Sequence, residues 1–292
     1  MSSIVISGTS GFIGSHLAKH FLSSGDKVLG LSRYNNNSIQ HPNYNWIQCD
    51  LTLGVPELTG IDVCIHTAAL SPVPSVSTYD FINNNVVATN NLLQALQKTN
   101  CRKIIFLSGV SVYGEVNAPE VNEQSSIINP DSYGLSKLLA ERILQEQESI
   151  PVCVLRLPGV LGKGASTPWL VRQIRKAILN ETITIYNPDA FFNNAVWLDD
   201  LVNFIEQLIR DNYNNHQLFL LGAKKKLSIH TIMELIRNRA QSQSKIEQAE
   251  GESSFTLKIS NAKKAGYKPH TMENILINQI DCTLTERRIT CH

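Results

Sequence analysis

The chain is poor in the features that mark a membrane, nucleic-acid or disulfide-framed protein. Charged residues make up 17% of its 292 positions, and 26 Lys and Arg against 25 Asp and Glu leave a formal net charge of +1. That balance offers no general field for nucleic acid, and the short runs Lys224–Lys226 and Arg287–Arg288 read as solvated faces. The longest apolar stretches fall far short of the roughly 18 residues a spanning helix needs, and no secretory leader is visible. Six cysteines, at 49, 64, 101, 153, 282 and 291, show no paired metal spacing. Cys64 and Cys153 lie in apolar runs where a thiol behaves as a small core residue, the pattern of reduced thiols. His16 and His20 stand one helical turn apart but lack a third ligand, so no metal is expected. Repeats and true linkers are missing too, and the asparagine patch 35–37 and polar stretch 241–253 read as loops. These absences imply a cytoplasmic protein with neither nucleic acid nor membrane as a partner.

Enough apolar residues are present, 42%, to bury a large core. Apolar runs near 4–6, 28–31, 44–49, 61–66, 103–107 and 152–157 alternate with helical patterns near 12–24, 79–98, 132–148 and 167–179. That alternation predicts an α/β fold with a doubly wound parallel sheet covered on both faces and ligands at the strands' carboxyl ends. After Pro158 the pattern loosens into loops, which assigns 1–160, rejoined by 195–222, to a nucleotide-binding domain, and 161–194 with 223–292 to a smaller C-terminal substrate lobe.

The first strand run hands over to a helix through Ser7-Gly8-Thr9-Ser10-Gly11-Phe12-Ile13-Gly14. Gly8 permits a tight turn, Gly11 lets the main chain approach phosphates, and Gly14 lets the helix pack on the sheet, while helix N-terminal amides face an anion. The spacing is G-x-x-G-x-x-G, suited to a dinucleotide pyrophosphate.

A second constellation lies on the helix capped by Asp131 or Ser132. Tyr133 and Lys137, four residues apart, share one face. An ammonium beside a phenol stabilises the phenolate and moves its pKa from ~10 toward the working range. The pair can pass a proton to or from an alcohol oxygen while hydride moves on a nicotinamide.

By these motifs the chain resembles the extended short-chain dehydrogenase/reductases, and within them the NAD-dependent epimerase/dehydratase group acting mainly on nucleotide-linked sugars. The resemblance runs from Ser3 to about Pro269. It rests also on Asp50-Leu51, the segment Asp62 to Ala69, the segment Asn85 to Leu93, Ser108-Gly-Val-Ser-Val-Tyr-Gly114, Arg156-Leu-Pro-Gly-Val-Leu-Gly162 and Val196-Trp-Leu-Asp-Asp-Leu-Val202. It implies a Rossmann-type sheet, an NAD(P)-dependent epimerase, dehydratase or keto-sugar reductase, hydride transfer at a sugar carbon, C4 foremost, and the homodimers common among relatives, formed through helices corresponding to 79–98 and 132–148.

By this resemblance the catalytic residues are Tyr133 and Lys137, with Ser108 or Ser111. Cofactor contacts fall to Gly8, Ser10, Gly11, Phe12, Ile13, Gly14, Ser32, Arg33, Asp50, Leu51, Thr67, Ala68, Ala69, Lys137, Pro158 and Val160. Leu70, Ser71, Asn193 and Trp197 face the substrate.

Three departures matter. Gly109 stands where the family carries a substrate-bonding Ser or Thr, so Ser108 or Ser111 must substitute. Failing that, the protein is a catalytically impaired NADP-binding regulator or scaffold. Asn193 stands where many relatives carry a phosphate-binding arginine. The second strand run ends in Ser32-Arg33 rather than in an acid that accepts from both ribose hydroxyls, which favours NADP(H) over NAD(H). Asp199 and Asp200 read as a helix start with favourable dipole interaction.

Overall fold

The structure is a computed structural model describing residues 2–35, 38–211, 213–249 and 254–290, with side chains through 287. Asn36 and Asn37 of the asparagine patch, residues 250–253 of the polar stretch, the Arg288 side chain and Cys291 lie outside the described residues. The chain divides into two compact units.

The first unit comprises Met1–Glu115, Ser126–Arg156 and Ile205–Phe219. It begins with β1 (Ser3–Ser7), α1 (Phe12–Ser23), β2 (Lys27–Ser32), β3 (Tyr44–Gln48), β4 (Val63–His66), α2 (Thr78–Phe81), α3 (Ala88–Leu96) and β5 (Ile104–Gly109). After β6 (Glu120–Val121), which belongs to the second unit, follow α4 (Ser132–Glu146) and β7 (Val152–Leu157). Val63–His66, Ile104–Gly109 and Val152–Leu157 are buried along their whole length. Such continuous burial is the mark of strands covered on both faces. One core packs Val5, Cys64, Phe106 and Val154 against Leu92 and Leu96 of α3 and Ala140 and Leu144 of α4.

The second unit comprises Val116–Ser125, Leu157–Phe204 and Leu220–His292. Its elements are β8 (Gly159–Leu161), α5 (Trp169–Ile178), β9 (Ile183–Tyr186), β10 (Phe191–Phe192), β11 (Ala195–Trp197) and α6 (Leu198–Arg210), whose last turns lie in the first unit. After β12 (Gln217–Leu220) come β13 (Leu227–Ser228), α7 (Ile229–Arg239), β14 (Ile246–Ala249), β15 (Thr256–Leu257), α8 (Ser260–Lys264) and α9 (Met272–Thr290). Helices α5, α7 and α9 pack on one another, and β9 pairs with β14.

The central sheet has seven strands in the order β12-β7-β5-β4-β1-β2-β3. Strands β3, β2, β1, β4 and β5 run parallel to their neighbours. The order turns at β1, which pairs β2 on one side and β4 on the other, so chain direction through the sheet reverses there. That is the position at which doubly wound sheets open a crevice.

Two expectations change. The domain boundary differs, because Val116–Ser125 and 195–204 belong to the second unit. There β6 pairs with β15 and β11 with β8, pairings between segments far apart in the chain that no local pattern reveals. The helix expected over 79–98 is interrupted by a π-turn at Ile82–Val87, a local widening often found at functional sites. Cys49, Cys64, Cys101 and Cys153 are buried thiols.

Candidate active site

Gly8 follows β1 with φ of +80°, and its amide donates to Leu31 O at 2.7 Å. A Cβ on Gly14 would lie 2.3 Å from Gly8 O, so the helix start touches the turn backbone to backbone. The cap residue of α1, Gly11, has no side chain to accept from the helix's first amides, and the first turn carries no acid. A cleft of about 660 Å³, counting space open to solvent, lies over this turn.

The cleft is lined by Gly8, Ser10 and Gly11 of the turn, by Ser32, Arg33, Asp50 and Leu51 after β2 and β3, and by Thr67, Ala68, Ala69 and Leu70 after β4. An uncapped helix terminus beneath a cleft walled by backbone fits a dinucleotide pyrophosphate. Gly14→Ala is expected to weaken dinucleotide binding roughly ten- to a hundredfold, read by fluorescence titration, because neither backbone can retreat.

Leu31, Cys49, Thr52, Asn84 and Ala88 also line the cleft. Sequence reasoning missed them. Thr52 had a usable signal, the Asp50-x-Thr52 turn in which Asp50 Oδ1 accepts from Thr52 N at 3.0 Å and Thr52 Oγ1 at 2.8 Å. Asn84 and Ala88 had none, since the π-turn sets which side of that helix faces the cleft.

At the β2 end the Ser32 hydroxyl is occupied. It donates to Tyr34 O at 2.7 Å and accepts from Trp46 Nε1 at 2.9 Å. Arg33 is exposed on the cleft wall.

His66 ends β4, fully buried. Ser7 Oγ accepts from the amides of Thr67 and Ala68, both at 3.2 Å, so its own proton goes to His66 Nδ1 at 2.6 Å. The ring therefore carries its proton on Nε2, which donates to Thr89 Oγ1 at 2.9 Å, and Thr89 in turn donates to Asn85 O. Burial first, and the Lys137 charge second, push the imidazole pKa down to about 3.

The unfolded chain takes up a proton at this histidine below about pH 6.5 and the folded protein does not, so stability falls as pH drops from there toward 3, by about 1.4 kcal/mol per unit. The His66 ring resonances are expected to stay unshifted between pH 8 and 4.5.

Asn85, in the π-turn, ties this chain of bonds to α4. Its Oδ1 accepts from Leu70 N at 2.7 Å, and its Nδ2 donates to Leu70 O at 3.2 Å and Ser136 Oγ at 2.9 Å. Ser136 Oγ donates to Tyr133 O.

Asp131 is the cap of α4, its carboxylate accepting from Gly134 N at 2.7 Å. A Cβ on Gly134 would sit 2.2 Å from Ser111 O. The absence of a side chain at 134 thus seats the first turn of α4, with Tyr133, against the 3-10 turn Val110–Tyr113. Tyr133 is half-buried with its ring 5.7 Å from that of Phe81. Lys137 is 2% exposed, its ammonium 4.2 Å from the centre of the Phe106 ring.

The charges differ from the expectation drawn from spacing. Burial, then Asp131, raise the Tyr133 phenol above its ordinary value. Burial pushes Lys137 down to about 7, against an opposing pull from Glu141. Removal from water is the leading cause for both groups.

The two candidate serines separate. Ser108 Oγ donates to Glu141 Oε1 at 2.5 Å and is buried. Ser111 Oγ is shielded from solvent and has no hydrogen-bond partner among the described residues.

Phe12, Ile13 and Gly14 form the first turn of α1, whereas Pro158, Val160, Asn193 and Trp197 lie in the second unit. Ser71 is exposed. The Asn193 amide is consumed internally, donating to Ala223 O at 3.1 Å and Leu257 O at 2.9 Å and accepting from Leu257 N at 2.8 Å. It stitches β15 to the chain after β12, with both amide protons spent inside the protein. Trp197 Nε1 donates to Asp199 Oδ2 at 3.2 Å. Asp200 accepts from His270 N and Nδ1, both 2.7 Å, so it anchors the late chain in addition to standing in the first turn of α6.

The crevice turn at the sheet's reversal point, with the Tyr133 helix beside it, defines a doubly wound dinucleotide-binding α/β protein. Residues 4–222 match the model of the NAD dependent epimerase/dehydratase family, and the chain belongs to that family. A putative UDP-glucose 4-epimerase of Methanocaldococcus jannaschii is 26% identical over 293 residues, covering 91% of this chain and 93% of the relative. Protein CapI of Staphylococcus aureus is 23% identical over 279 residues, covering 81% and 83%. The crystal structure of UDP-glucuronic acid 4-epimerase from Bacillus cereus in complex with NAD superposes with a TM-score of 0.84 at 22% identity, covering 97% of this chain and 99% of that one. No described helix is long and apolar enough to cross a membrane.

Proposed function

We propose that the protein is an NAD(P)-dependent oxidoreductase of the epimerase kind, acting at C4 of a sugar carried on a nucleotide. The observation that carries this reading is Tyr133 and Lys137 on one face of α4, whose Gly134 packs on the main-chain carbonyl of Ser111, a residue whose hydroxyl has no hydrogen-bond partner among the described residues. The sugar carrier follows the UDP-glucose and UDP-glucuronic acid epimerases that the chain resembles.

Gly8, Ser10, Gly11 and the first turn of α1 would hold the dinucleotide, which would supply a hydride acceptor and donor. Tyr133 Oη takes and returns the sugar hydroxyl proton, Lys137 Nζ binds ribose and supplies positive charge to the phenolate, and Ser111 Oγ orients the sugar oxygen. Ser108 is already bound to Glu141, which supports Ser111 in the role left open by Gly109. Ser111→Ala is expected to lower kcat roughly ten- to a hundredfold with little change in dinucleotide affinity, because one hydrogen bond to the reacting oxygen is lost. Ser108→Ala should act on stability instead. The reverse ranking would return the role to Ser108.

For the dinucleotide itself, Arg33 on the cleft wall and the engaged Ser32 hydroxyl leave β2 ending in positive charge, which favours a 2′-phosphate. NADP(H) is therefore expected to bind at least as tightly as NAD(H), and Arg33→Ala to weaken NADP(H) selectively. Calorimetry with both dinucleotides decides it, and preference for NAD(H) in the unaltered protein would refute this part.

Exposed Tyr79, Ile82, Val87, Leu135 and Leu139 on the packed segments α2, the π-turn and α4 support a homodimer through that face. The decisive experiment incubates the protein with a panel of UDP-sugars and no added reductant. Interconversion of C4 epimers supports the epimerase reading. In a parallel incubation with NADPH added, conversion of keto-sugars only, with stoichiometric NADPH consumed, would make it a reductase, and dinucleotide binding without any turnover would leave the scaffold reading.

A further inference from the structure

Strand β3 is the outer strand of the sheet beyond β2, and Tyr44, Trp46 and Gln48 alternate along it, so their side chains stand on one face. The parallel register sets these three beside Val28, Gly30 and Ser32 of β2. Gly30 makes room for the row, because a Cβ there would lie 2.5 Å from Tyr44 Oη and 2.7 Å from Thr9 Oγ1. The row therefore reaches across β2 to the glycine turn. Tyr44 Oη donates to Thr9 Oγ1 at 3.3 Å, and Thr9 Oγ1 donates to Ser32 Oγ at 3.4 Å. Trp46 Nε1 donates to Ser32 Oγ at 2.9 Å, and Gln48 Nε2 to Arg33 O at 3.2 Å. An indole can only donate, so Ser32 Oγ must accept from it and turns its one proton to Tyr34 O at 2.7 Å. The Cys49 amide adds a bond to Ser32 O at 3.0 Å. Main chain is thus tied at 32, 33 and 34, on both sides of the arginine whose side chain lines the cleft.

We propose that Trp46 is the positioning residue for Arg33, and that by fixing the turn Ser32–Tyr34 it sets the preference between dinucleotides with and without a 2′-phosphate. The inference rests on the dinucleotide reading given above and adds to it the group that aims the arginine. A guanidinium on a long side chain loses freedom when it grips a phosphate, and a mobile main chain beneath it would add to that loss. A turn already held from β3 removes the second cost. Only a ligand that meets Arg33 gains from this, so the effect is confined to the phosphorylated dinucleotide.

The test compares NADPH and NADH by calorimetry on the full chain. Trp46→Phe, which keeps an aromatic ring on β3 and deletes the N–H, is expected to weaken NADPH roughly three- to tenfold and NADH less than about twofold, the worth of one hydrogen bond felt by one ligand only. Ser32→Ala should do the same, and neither should change the NADPH-to-NADH ratio further once Arg33→Ala is in place. A merely structural role would weaken both dinucleotides alike and persist in the Arg33→Ala background. That result, or unchanged affinities, overturns the proposal. Should Trp46→Phe fail to fold, Ser32→Ala carries the test by the same criteria. A second readout needs no ligand: the Cys49 amide, which donates to Ser32 O, is expected to exchange its hydrogen roughly three- to tenfold faster in Trp46→Phe or Ser32→Ala than in the unaltered protein. If the unaltered protein binds neither dinucleotide, or Arg33→Ala leaves the NADPH-to-NADH ratio unchanged, the dinucleotide reading is what fails. Unchanged exchange at Cys49 would instead refute Trp46 as the group that holds the turn.

Discussion

Tyr133→Phe is expected to reduce turnover by about 10²–10⁴-fold while dinucleotide binding changes less than threefold. The half-buried ring loses only its hydroxyl. Its packing on Phe81 and the seat of α4 are made by the ring and by Gly134, and neither changes. What disappears is the hydroxyl proposed above as acid and base for the sugar oxygen. Steady-state kinetics on the UDP-sugar panel, with calorimetry for the dinucleotide, separates the two effects. Equal loss of binding and turnover would mean that the phenol holds the dinucleotide rather than moving a proton, and unchanged turnover would remove Tyr133 from the chemistry altogether.

Arg156→Met is expected to be the most destabilising single substitution in the first unit, costing about 3–5 kcal/mol in urea unfolding. Arg156 and Glu141 expose 6% and 2% of their side chains and lie 2.7 Å apart. Removing the guanidinium leaves the carboxylate buried with the Ser108 hydroxyl alone, an uncompensated charge for which protonation is the only relief. Glu141→Gln/Arg156→Met should recover most of that loss, because it is the lone charge rather than the missing attraction that costs so much. A single variant as stable as the parent would show that water reaches the pair in solution.

Much of the fold was legible in the sequence because its signals are local. The strand Ser3–Ser7, the glycine turn and α1 follow from an apolar run, a residue with positive φ and a four-residue periodicity, all within about twenty positions. The cap at Asp131 and the Tyr133–Lys137 face are helix geometry. Misreadings arose where partners come from far along the chain. Asn193 reads as substrate-facing in a motif, yet its amide is spent on Ala223 and Leu257, thirty and sixty-four positions away. Ser108 and Ser111 are indistinguishable as letters, and the arrival of Glu141 at only one of them separates their roles.

The sequence by itself determined the parallel sheet, the dinucleotide turn and the spacing of phenol and amine, since backbone geometry and periodicity act over a few residues. Only the tertiary structure decided which serine is spent on a carboxylate, that Val116–Ser125 joins the second unit, that Asn84 of the π-turn lines the cleft, and that burial lowers the Lys137 pKa. Burial and charge pairing depend on which distant groups are brought together, and dehydration of a buried amine is a property of its surroundings that no local spacing encodes.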